Sequence, residues 1–321
     1  MVRVLSLALA ALIGSLVGTT VCASAQSYPQ QVVHVVVPFS AGSITDGLAR
    51  ILADKLSELW KQQVVVENRP GLPGTTAVAK SAPDGYIVVL ANVGALAVNP
   101  HLIKVPYDPL RDLTPLTMAV VFANVLVVQP SLAVSSLADY VKLARERPAT
   151  VTYASSGIGG AGHLAGELLK MMAQIDIVHV PYKGGGPAMQ GFLGGQVASF
   201  FATPVSSIAQ IKAGKARPIA TTGSKRAALM PDVPTIAESG YPGYEALNWY
   251  AYLGPARLPK DLVDRLNREL VKALLAPEVQ AAFDKQGVEA QPGTPEELGR
   301  YIAREYQTWG KVVKEAGIQA H

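Results

Sequence analysis

Three segments of the sequence could bind an anion, because each places glycines and hydroxyl groups directly after an apolar run that is typical of a buried strand. In the first, Phe39–Asp46, Ser43 can cap a helix and Asp46 can complete a capping box. A loop of this kind points backbone N–H groups into the space above the strand, where a carboxylate or phosphate can bind. An ordinary turn from a strand into a helix is the alternative interpretation.

The second segment, Ser155–His163, contains the pattern G-x-G-x-x-G between a predicted strand and a predicted helix. That pattern is typical of dinucleotide-binding folds, in which an acidic residue follows the second strand. Here Asp176 precedes the second strand instead, so we do not predict a dinucleotide site. What remains is a glycine-rich cradle for an anion at the start of a helix.

The third segment, Tyr182–Pro187, again leads from a strand into a helix. Its three consecutive glycines let the backbone approach a ligand closely, and Pro187 suits the first turn of a helix. Lys183 could pair with an anion or be solvated, whereas Tyr182 offers both an apolar face and a hydroxyl group. We therefore favour Tyr182 over Lys183 as a ligand contact.

The sequence contains none of the common motifs for catalysis, phosphate binding or metal binding, such as G-x-S-x-G, H-E-x-x-H, Walker A or C-x-x-C. Its five histidines are dispersed. His34 and His179 lie inside apolar, strand-like runs and are predicted to be core residues, whereas His163 at a helix start could reach a ligand. We therefore predict no catalytic residue, no metal and no cofactor.

The elements that must position these segments alternate between strands and helices as far as residue 222, which indicates an α/β fold with largely parallel sheets. Strands are predicted near 31–37, 63–67, 86–91, 124–128, 150–154, 177–181, 197–202 and 217–222. Helices are predicted near 44–60, 75–81, 136–147, 161–173, 186–193 and 204–213. After Pro259 the sequence becomes helical, with no predicted strand of its own.

The first 25 residues read as a secretory signal peptide, with Arg3 before an apolar run and a small-residue cleavage site that ends at Ala25. Cleavage would remove Cys22, the only cysteine, and would lower the formal net charge from +4 to +3. We therefore expect an exported protein without disulfides or thiol chemistry. Basic residues are scattered along the rest of the chain, which argues against a nucleic-acid partner.

The remaining chain is long enough to form two lobes. We predict a first lobe of residues 26–123 and 224–321, onto which the helical tail packs, and a second lobe of residues 124–223. The aromatic run Trp249–Tyr252 could belong to the core or to the wall of a cleft between the lobes. Trp249 itself is predicted to be a core residue.

Six motifs occur in a fixed order along the chain. They are Val37–Gly42 with Asp46, Val66–Gly71 with Gly74, Pro83–Tyr86, Val180–Gly184, Pro231–Thr235 with Glu238 and Gly240, and Trp249. In these motifs the chain resembles the periplasmic solute-binding proteins of tripartite tricarboxylate transporters, the Bug family. One departure is Ser43, which stands where the family usually has a second glycine and adds a Cβ and a hydroxyl group to the first loop.

The resemblance implies a two-lobed periplasmic binding protein, type II-like, in which each lobe is a mostly parallel sheet flanked by helices and the ligand occupies the cleft. It also implies that the loops after the first strand and after Val180–Tyr182 hold carboxylates through backbone N–H groups and ordered water. On this basis we expect the ligand-binding residues to be Phe39, Ser40, Ala41, Gly42, Ser43, Asp46, Asn92, Ser155, Ser156, Gly157, Gly159, His163, Tyr182, Lys183, Gly184 and Thr203.

The pattern and the resemblance together predict a periplasmic protein that captures a small di- or monocarboxylate by lobe closure. It would deliver this ligand to the permease subunits of a tripartite tricarboxylate-type transporter in the membrane. In an alternative, the loaded form is a sensory adaptor that docks on a membrane sensor kinase. An exported enzyme on the same scaffold is a third hypothesis, which the lack of a nucleophile–base pair disfavours.

Overall fold

The computed structural model describes residues 28–318. The predicted signal peptide, residues 1–25, therefore lies outside the described residues. A compact unit begins at Gln31 and contains every helix and strand of the described chain. No helix within residues 28–318 is both long enough and apolar enough to cross a membrane.

The described residues form eleven strands, ten α-helices and one π-helix. The strands are β1 (Val33–Val37), β2 (Val64–Asn68), β3 (Ile87–Asn92), β4 (Leu113–Ala123), β5 (Val125–Val128), β6 (Thr152–Ser155), β7 (Val178–Pro181), β8 (Ser199–Ala202), β9 (Arg217–Thr221), β10 (Leu247–Pro255) and β11 (Glu289–Ala290). The α-helices are α1 (Ile44–Trp60), α2 (Leu72–Ala79), α3 (Asn99–Leu102), α4 (Leu137–Glu146), α5 (Ala161–Ala173), α6 (Gly185–Leu193), α7 (Pro204–Lys212), α8 (Lys260–Leu274), α9 (Pro277–Lys285) and α10 (Pro295–Glu315). The π-helix spans Gly94–Val98 and runs directly into α3.

The strands form two mixed sheets. The first has six strands in the order β11-β4-β10-β3-β1-β2, and the second has five in the order β7-β6-β8-β5-β9. In the first sheet β1 is parallel to β2 and β3, whereas β10 is antiparallel to β3 and β4. In the second sheet β6 is parallel to β7 and β8, whereas β5 is antiparallel to β8 and β9. We call each sheet, with the helices packed on it, the first and the second lobe.

The predicted α/β class with two lobes is confirmed; both sheets are mixed, with four of the six strands in the first sheet and four of the five in the second running in one direction. The chain passes from β4 to β5, and so from the first sheet to the second, at the single residue Asn124. A strand that enters a sheet from the other lobe needs no crossover helix. It therefore breaks the regular alternation that indicates a parallel sheet, and that alternation does not predict β4 or β10.

The first strand and helix form for local reasons. In β1 the β-branched residues are buried on both faces, as in a covered parallel strand. His34 is the exception, and the prediction that it is a core residue is wrong: its side chain is 36% exposed and pairs with Glu67. At the start of α1 the Ser43 hydroxyl accepts a hydrogen bond from the Asp46 N–H at 3.2 Å, as predicted for a helix cap.

The C-terminal segment packs on the first lobe. Contrary to the expectation of a purely helical tail, Glu289–Ala290 pair antiparallel with Val120–Val121 of β4. The last helix, α10, begins at a capping box between Thr294 and Glu297. It packs against β4 and the π-helix.

One apolar core runs through both sheets. It joins Leu96 of the π-helix to Tyr153 of β6 and Leu164 of α5. A smaller cluster covers the second sheet, and Met230 and Val233 from the segment after β9 belong to it. The lobe boundaries given above stay a prediction.

Candidate functional site

A cavity of about 170 Å³ lies between the two lobes. It is found beyond the carboxyl ends of β1, β3 and β6, the place where ligands bind in open α/β sheets. A cavity of about 150 Å³ is large enough to hold benzene. This one therefore has room for a small organic molecule, and we take it as the candidate ligand site.

On the first lobe, the start of α2 forms part of the wall. Gly71 precedes this helix with φ of +75°, and Leu72 and Thr75 in its first turn line the cavity. Pro73 has no N–H group and the Gly74 N–H donates to the Gly71 carbonyl at 3.3 Å, so the Leu72 N–H and the positive end of the helix dipole are what favour an anion here. The other first-lobe residues of the wall are Pro38, Phe39, Asn92, Gly94, Ala95, Asn99, Tyr107, Asn248 and Tyr250.

On the second lobe, the start of α5 forms the opposite wall. Ser156–Gly160 and the first residue of the helix, Ala161, line the cavity. The N-cap of this helix is Gly160, which has no side chain to occupy the first N–H groups. Two helix starts, one from each lobe, therefore border the same cavity.

The cavity wall carries no fixed charge. Of the described residues that line it, none is Asp, Glu, Lys, Arg or His, and its polar side chains are three asparagines, two tyrosines, one threonine and one serine. Within residues 28–318, no group of three or more His, Cys, Asp or Glu side chains is arranged to hold a metal ion. A cavity of this kind can bind an anion through backbone N–H groups, neutral side chains and water.

Two buried tyrosines give the wall neutral hydroxyl groups. Tyr107 donates a hydrogen bond to the Ala95 carbonyl of the π-helix at 2.8 Å. Burial raises the pKa of Tyr107 to about 12, and burial also raises the pKa of Tyr250. Both hydroxyl groups therefore keep their protons near pH 7. Phe39 packs edge-on against Tyr250, with ring centroids 6.1 Å apart.

The lobes touch beside the cavity at two glycines. A Cβ added to Gly94, the first residue of the π-helix, would lie 3.1 Å from the carbonyl oxygen of Gly159. A Cβ added to Gly159, whose φ is +72°, would lie 2.8 Å from Asn99 Oδ1. A Cβ at Gly94 would require the Gly159 carbonyl to shift by a few tenths of an ångström, and a Cβ at Gly159 would require the Asn99 side chain to move. The structure thus has its lobes closed onto one another at this point.

The cavity wall is also linked to the strands that connect the lobes. Asn248 in β10 donates from Nδ2 to Asn124 Oδ1 at 2.7 Å. The Asn124 backbone N–H donates to Thr222 Oγ1 at 2.8 Å. Asn124 and Thr222 lie where the chain enters and leaves the second sheet. One hydrogen bond therefore links Asn248 in the cavity wall to the residue at which the chain passes from the first sheet to the second.

The structure brings five of the predicted site residues to the cavity wall. They are Phe39, Asn92, Ser156, Gly157 and Gly159. They come from both lobes: Phe39 follows β1, Asn92 ends β3, and the other three lie in the loop after β6. Their contact with a ligand stays a prediction.

The rest of the first predicted loop does not line the cavity. These residues are Ser40, Ala41, Gly42, Ser43 and Asp46. The Gly42 N–H donates a hydrogen bond to Asp46 Oδ2 at 2.9 Å. In a capping box Asp46 would instead accept from the N–H of Ser43, the N-cap residue. The expectation of free N–H groups in this loop is wrong for Gly42, because a carboxylate of the same loop satisfies this donor.

Two predicted residues are buried behind the wall of the second lobe. The imidazole of His163 accepts a hydrogen bond at Nδ1 from the Gly159 N–H, at 3.1 Å. The Ser155 hydroxyl accepts one from the Gly157 N–H at 3.2 Å. Both residues therefore support the loop that lines the cavity and do not line it themselves.

The last four predicted residues also lie outside the wall. They are Tyr182, Lys183, Gly184 and Thr203. The Gly184 N–H donates to the Ser156 carbonyl at 3.1 Å, so this loop supports the cavity wall from behind. The Tyr182 hydroxyl donates to Gln196 at 3.2 Å, and Lys183 is exposed. Thr203 occupies the N-cap position of α7. Their contact with a ligand stays a prediction.

Several wall residues carry little signal in the sequence. The prolines and glycines of Asn68–Gly74 predict a turn and a helix from residue 75, but α2 already begins at Leu72. A glycine before a helix and Pro73 in its first turn are typical of a helix start, so this signal was available. The sequence around Asn99 and Tyr107 does not predict that they line a site. They reach the cavity because of the path of the π-helix and the segment after it.

Among models of protein families, the one described as "Tripartite tricarboxylate transporter family receptor" matches residues 48–318. Among curated proteins, Protein BugT of Bordetella pertussis is 38% identical over 319 residues. This match covers 97% of the present chain and 98% of BugT.

Two solved structures are similar to this chain throughout. R. palustris Rpa4515 with adipate has a TM-score of 0.82 and 37% identity, covering 91% of this chain and 99% of the other. The periplasmic binding protein BugD has a TM-score of 0.80 and 33% identity, covering 92% of this chain and 100% of the other.

Proposed function

This chain belongs to the Bug family of tripartite tricarboxylate transporter receptors, and from that premise we propose that it captures a small organic carboxylate in the cavity between its lobes. The loaded protein delivers the carboxylate to the membrane subunits of a tripartite tricarboxylate-type transporter. The observation that carries the proposal is the uncharged cavity bordered by two helix starts, one from each lobe.

The energetics favour recognition by backbone donors. A dissociation constant of 1 μM corresponds to about −8.2 kcal/mol. A helix dipole contributes only about 0.3–1 kcal/mol, so two dipoles are not sufficient. Hydrogen bonds to a charged group contribute about 1.5–3 kcal/mol each, and four or five of them reach the required free energy.

The favoured ligand is a dicarboxylate. One carboxylate would lie at the start of α2 and the other at the start of α5, so that the ligand contacts both lobes and favours the closed form. The related protein Rpa4515 was solved with adipate, a dicarboxylate. Because no charged side chain lines the cavity, we expect only modest discrimination among acids of similar length.

Calorimetric titration tests the ligand class. The purified protein would be titrated with adipate, with shorter dicarboxylates, with monocarboxylates and with adipamide, which has the length of adipate but no charge. We expect saturable binding of at least one dicarboxylate and none of adipamide. Absence of binding across the whole series of acids, or equal binding of adipamide, would contradict the proposal.

A pair of matched variants tests the location of the site. Ile158→Trp places a large ring in the cavity wall, whereas Leu193→Trp places the same ring at an exposed leucine of α6 outside the wall. We expect the first variant to abolish adipate binding and the second to leave it unchanged. Full binding by both variants would place the site elsewhere.

Delivery and export need separate experiments. Capture of transporter subunits from membranes of the source organism, only when the carboxylate is present, would support delivery. Capture of a sensor kinase would support the sensory alternative instead, and chemical change of the recovered ligand would indicate an enzyme. Export to the periplasm with cleavage of the signal peptide after Ala25 predicts that the mature protein begins at Gln26. N-terminal sequencing of the exported protein tests this prediction.

A further inference from the structure

The imidazole of His163 lies directly behind the point where the two lobes meet. His163 is in the first turn of α5 and is only 4% exposed. Its Nδ1 accepts a hydrogen bond from the Gly159 N–H at 3.1 Å. Gly159 is itself buried, with its carbonyl facing Gly94 and its α-carbon facing Asn99 of the first lobe. A single hydrogen bond thus links a buried histidine to the residue that makes the lobe contact.

A second histidine supports the same loop. His179 of β7 stacks on His163, with ring centroids 3.9 Å apart and an angle of 13° between the planes. His179 Nε2 lies 2.7 Å from Ser155 Oγ, and that hydroxyl accepts from the Gly157 N–H. The two imidazoles therefore stand side by side beneath the loop that lines the cavity.

The other ionisable groups around His163 are few. On the same helix, Glu167 Oε1 lies 4.0 Å from His163 Nε2, too far for a hydrogen bond, and Glu167 also pairs with Lys170 at 3.2 Å. From β6, the Tyr153 hydroxyl donates to Glu167 at 2.7 Å and lies 3.4 Å from the His163 carbonyl. The ionisable neighbour on β7 is His179, which stacks on His163. Whether the Gly159 N–H has an acceptor therefore depends on the protonation state of His163 itself.

We propose that His163 is a positioning residue for lobe closure, in which its unprotonated Nδ1 fixes the Gly159 N–H, and that protonation of this imidazole releases the loop and weakens ligand binding in acid. The inference rests on the proposed function, because lobe closure is measured through the affinity for a ligand. A protonated imidazole carries hydrogens on both nitrogens and cannot accept the bond.

Protonation of His163 should destabilise the closed form more than the open form. Gly159 is buried between the lobes in this structure. In the open form Gly94 and Asn99 no longer confine Gly159, so a loop released from His163 can turn the Gly159 N–H towards water. In the closed form an N–H group without an acceptor stays buried, which is unfavourable. Loss of the acceptor therefore shifts the population towards the open form, which binds ligand weakly.

The electrostatic setting keeps His163 neutral at ordinary pH. Burial lowers the pKa of His163 to about 4, and the charge of Lys170 acts in the same direction. Burial also lowers the pKa of His179 to about 3, with further contributions from His163 and Lys170. The acceptor is therefore present at neutral pH and is lost as the pH falls through about 4.

Three variants test the inference by calorimetry with adipate. His163→Leu removes the acceptor, and we expect it to weaken binding by about tenfold or more at pH 7. His163→Asn offers a side-chain oxygen near the position of Nδ1, and we expect it to restore most of the affinity. His34→Asn is the control, since His34 lies at the partly exposed start of β1, outside the cavity wall.

The pH profile separates positioning from general structural support. Comparison of each variant with the wild type at the same pH removes the protonation of adipate from the difference. From pH 7 to below pH 4 we expect the wild type to lose affinity more steeply than His163→Asn, which has no ionisable group at this position. Parallel profiles for the two proteins, or unchanged affinity in a folded His163→Leu variant, would overturn the inference.

The outcomes distinguish this inference from the proposed function. If wild type binds no carboxylate at all, the proposed function is wrong. If the wild type binds adipate and the variants bind equally well at every pH, only the role of His163 is wrong. Should His163→Leu fail to fold, the comparison of His163→Asn with the wild type still decides, because it depends on the pH profile alone.

Discussion

The Gly42 N–H donates a hydrogen bond to Asp46 Oδ2 at 2.9 Å, which closes the first strand-to-helix loop on its own carboxylate. Asp46 is 5% exposed, and its other oxygen accepts from Asn68 and pairs with Arg50, both at 3.0 Å. This carboxylate therefore joins the ends of β1 and β2 to the start of α1. In this structure the loop is held by internal bonds.

Replacement of Asp46 should destabilise the protein. Asp46→Ala removes the acceptor of the Gly42 N–H and one acceptor of the Asn68 amide. Gly42 is exposed and Asn68 is half-buried, so each lost hydrogen bond should cost about 0.5–1.5 kcal/mol. We expect a lower free energy of unfolding in urea denaturation. Asp54→Ala, on the exposed face of the same helix, is the matched control and should change stability by less than about 0.5 kcal/mol. Equal stability of the two variants would contradict a structural role for Asp46.

The same carboxylate should make stability depend on pH. Burial alone would raise the pKa of Asp46, but hydrogen bonds from Gly42, Arg50 and Asn68 outweigh it and lower the pKa below its ordinary value. Its contribution is complete above the unfolded-state pKa of about 3.9 and is lost as the pH falls through the folded-state value. Urea denaturation from pH 6 to pH 3 should show the difference between wild type and Asp46→Ala shrinking in acid. A constant difference would rule out ionisation as the cause.

A methyl group at Gly94 should hold the lobes apart. Its Cβ would lie 3.1 Å from the Gly159 carbonyl and 3.4 Å from Asn92 Oδ1, so closure needs a shift of the opposite loop. We expect Gly94→Ala to weaken adipate binding by about tenfold, equivalent to about 1.4 kcal/mol, with little change in thermal unfolding. Gly47→Ala in α1 is the control, because its Cβ meets no atom within 4 Å. If both variants bind adipate like the wild type, the glycine contact does not limit closure.

Glu305 should stabilise the attachment of α10 to the first sheet. Its Oε2 accepts hydrogen bonds from the indole N–H groups of Trp249 and Trp309, both at 3.0 Å. Both tryptophans are buried, so Glu305→Ala leaves two donors without a partner and should cost about 2–4 kcal/mol in urea denaturation. Glu305→Gln keeps a side-chain oxygen and should cost less.

Gln307→Ala, at an exposed position of the same helix, serves as the control for Glu305. We expect its free energy of unfolding to equal that of the wild type within about 0.5 kcal/mol. A Glu305→Ala variant as stable as this control would show that water replaces the carboxylate at both indoles.

Much of the fold was accessible from the sequence. The strand from 31–37 and the helix from 44–60 are found as β1 (Val33–Val37) and α1 (Ile44–Trp60), because burial pattern and capping are properties of neighbouring residues. Along β10, Trp249 is a core residue as predicted, while Asn248 and Tyr250 on either side of it line the cavity. This division follows from the alternation of side chains along a strand.

The site was only partly accessible. The glycine pattern of Ser155–His163 predicts an anion-binding loop, and Ser156–Gly160 of this segment form one wall of the cavity. The opposite wall uses the start of α2, although the capping signal at Ser43 points to the start of α1. A sequence pattern identifies a helix start, but which of several helix starts borders a cleft depends on strand order and on the angle between the lobes.

By itself the sequence determined the class of fold, the family, and the strands and helices through β9 other than β4, the π-helix and α3, because these depend on local periodicity, caps and short motifs. Only the tertiary structure decided that β10 enters the first sheet antiparallel, between β3 and β4, and that Gly94 meets Gly159. Each of these facts joins residues far apart in the chain or on different lobes. No local pattern encodes such contacts, since they exist only once both sheets have formed and the lobes have closed.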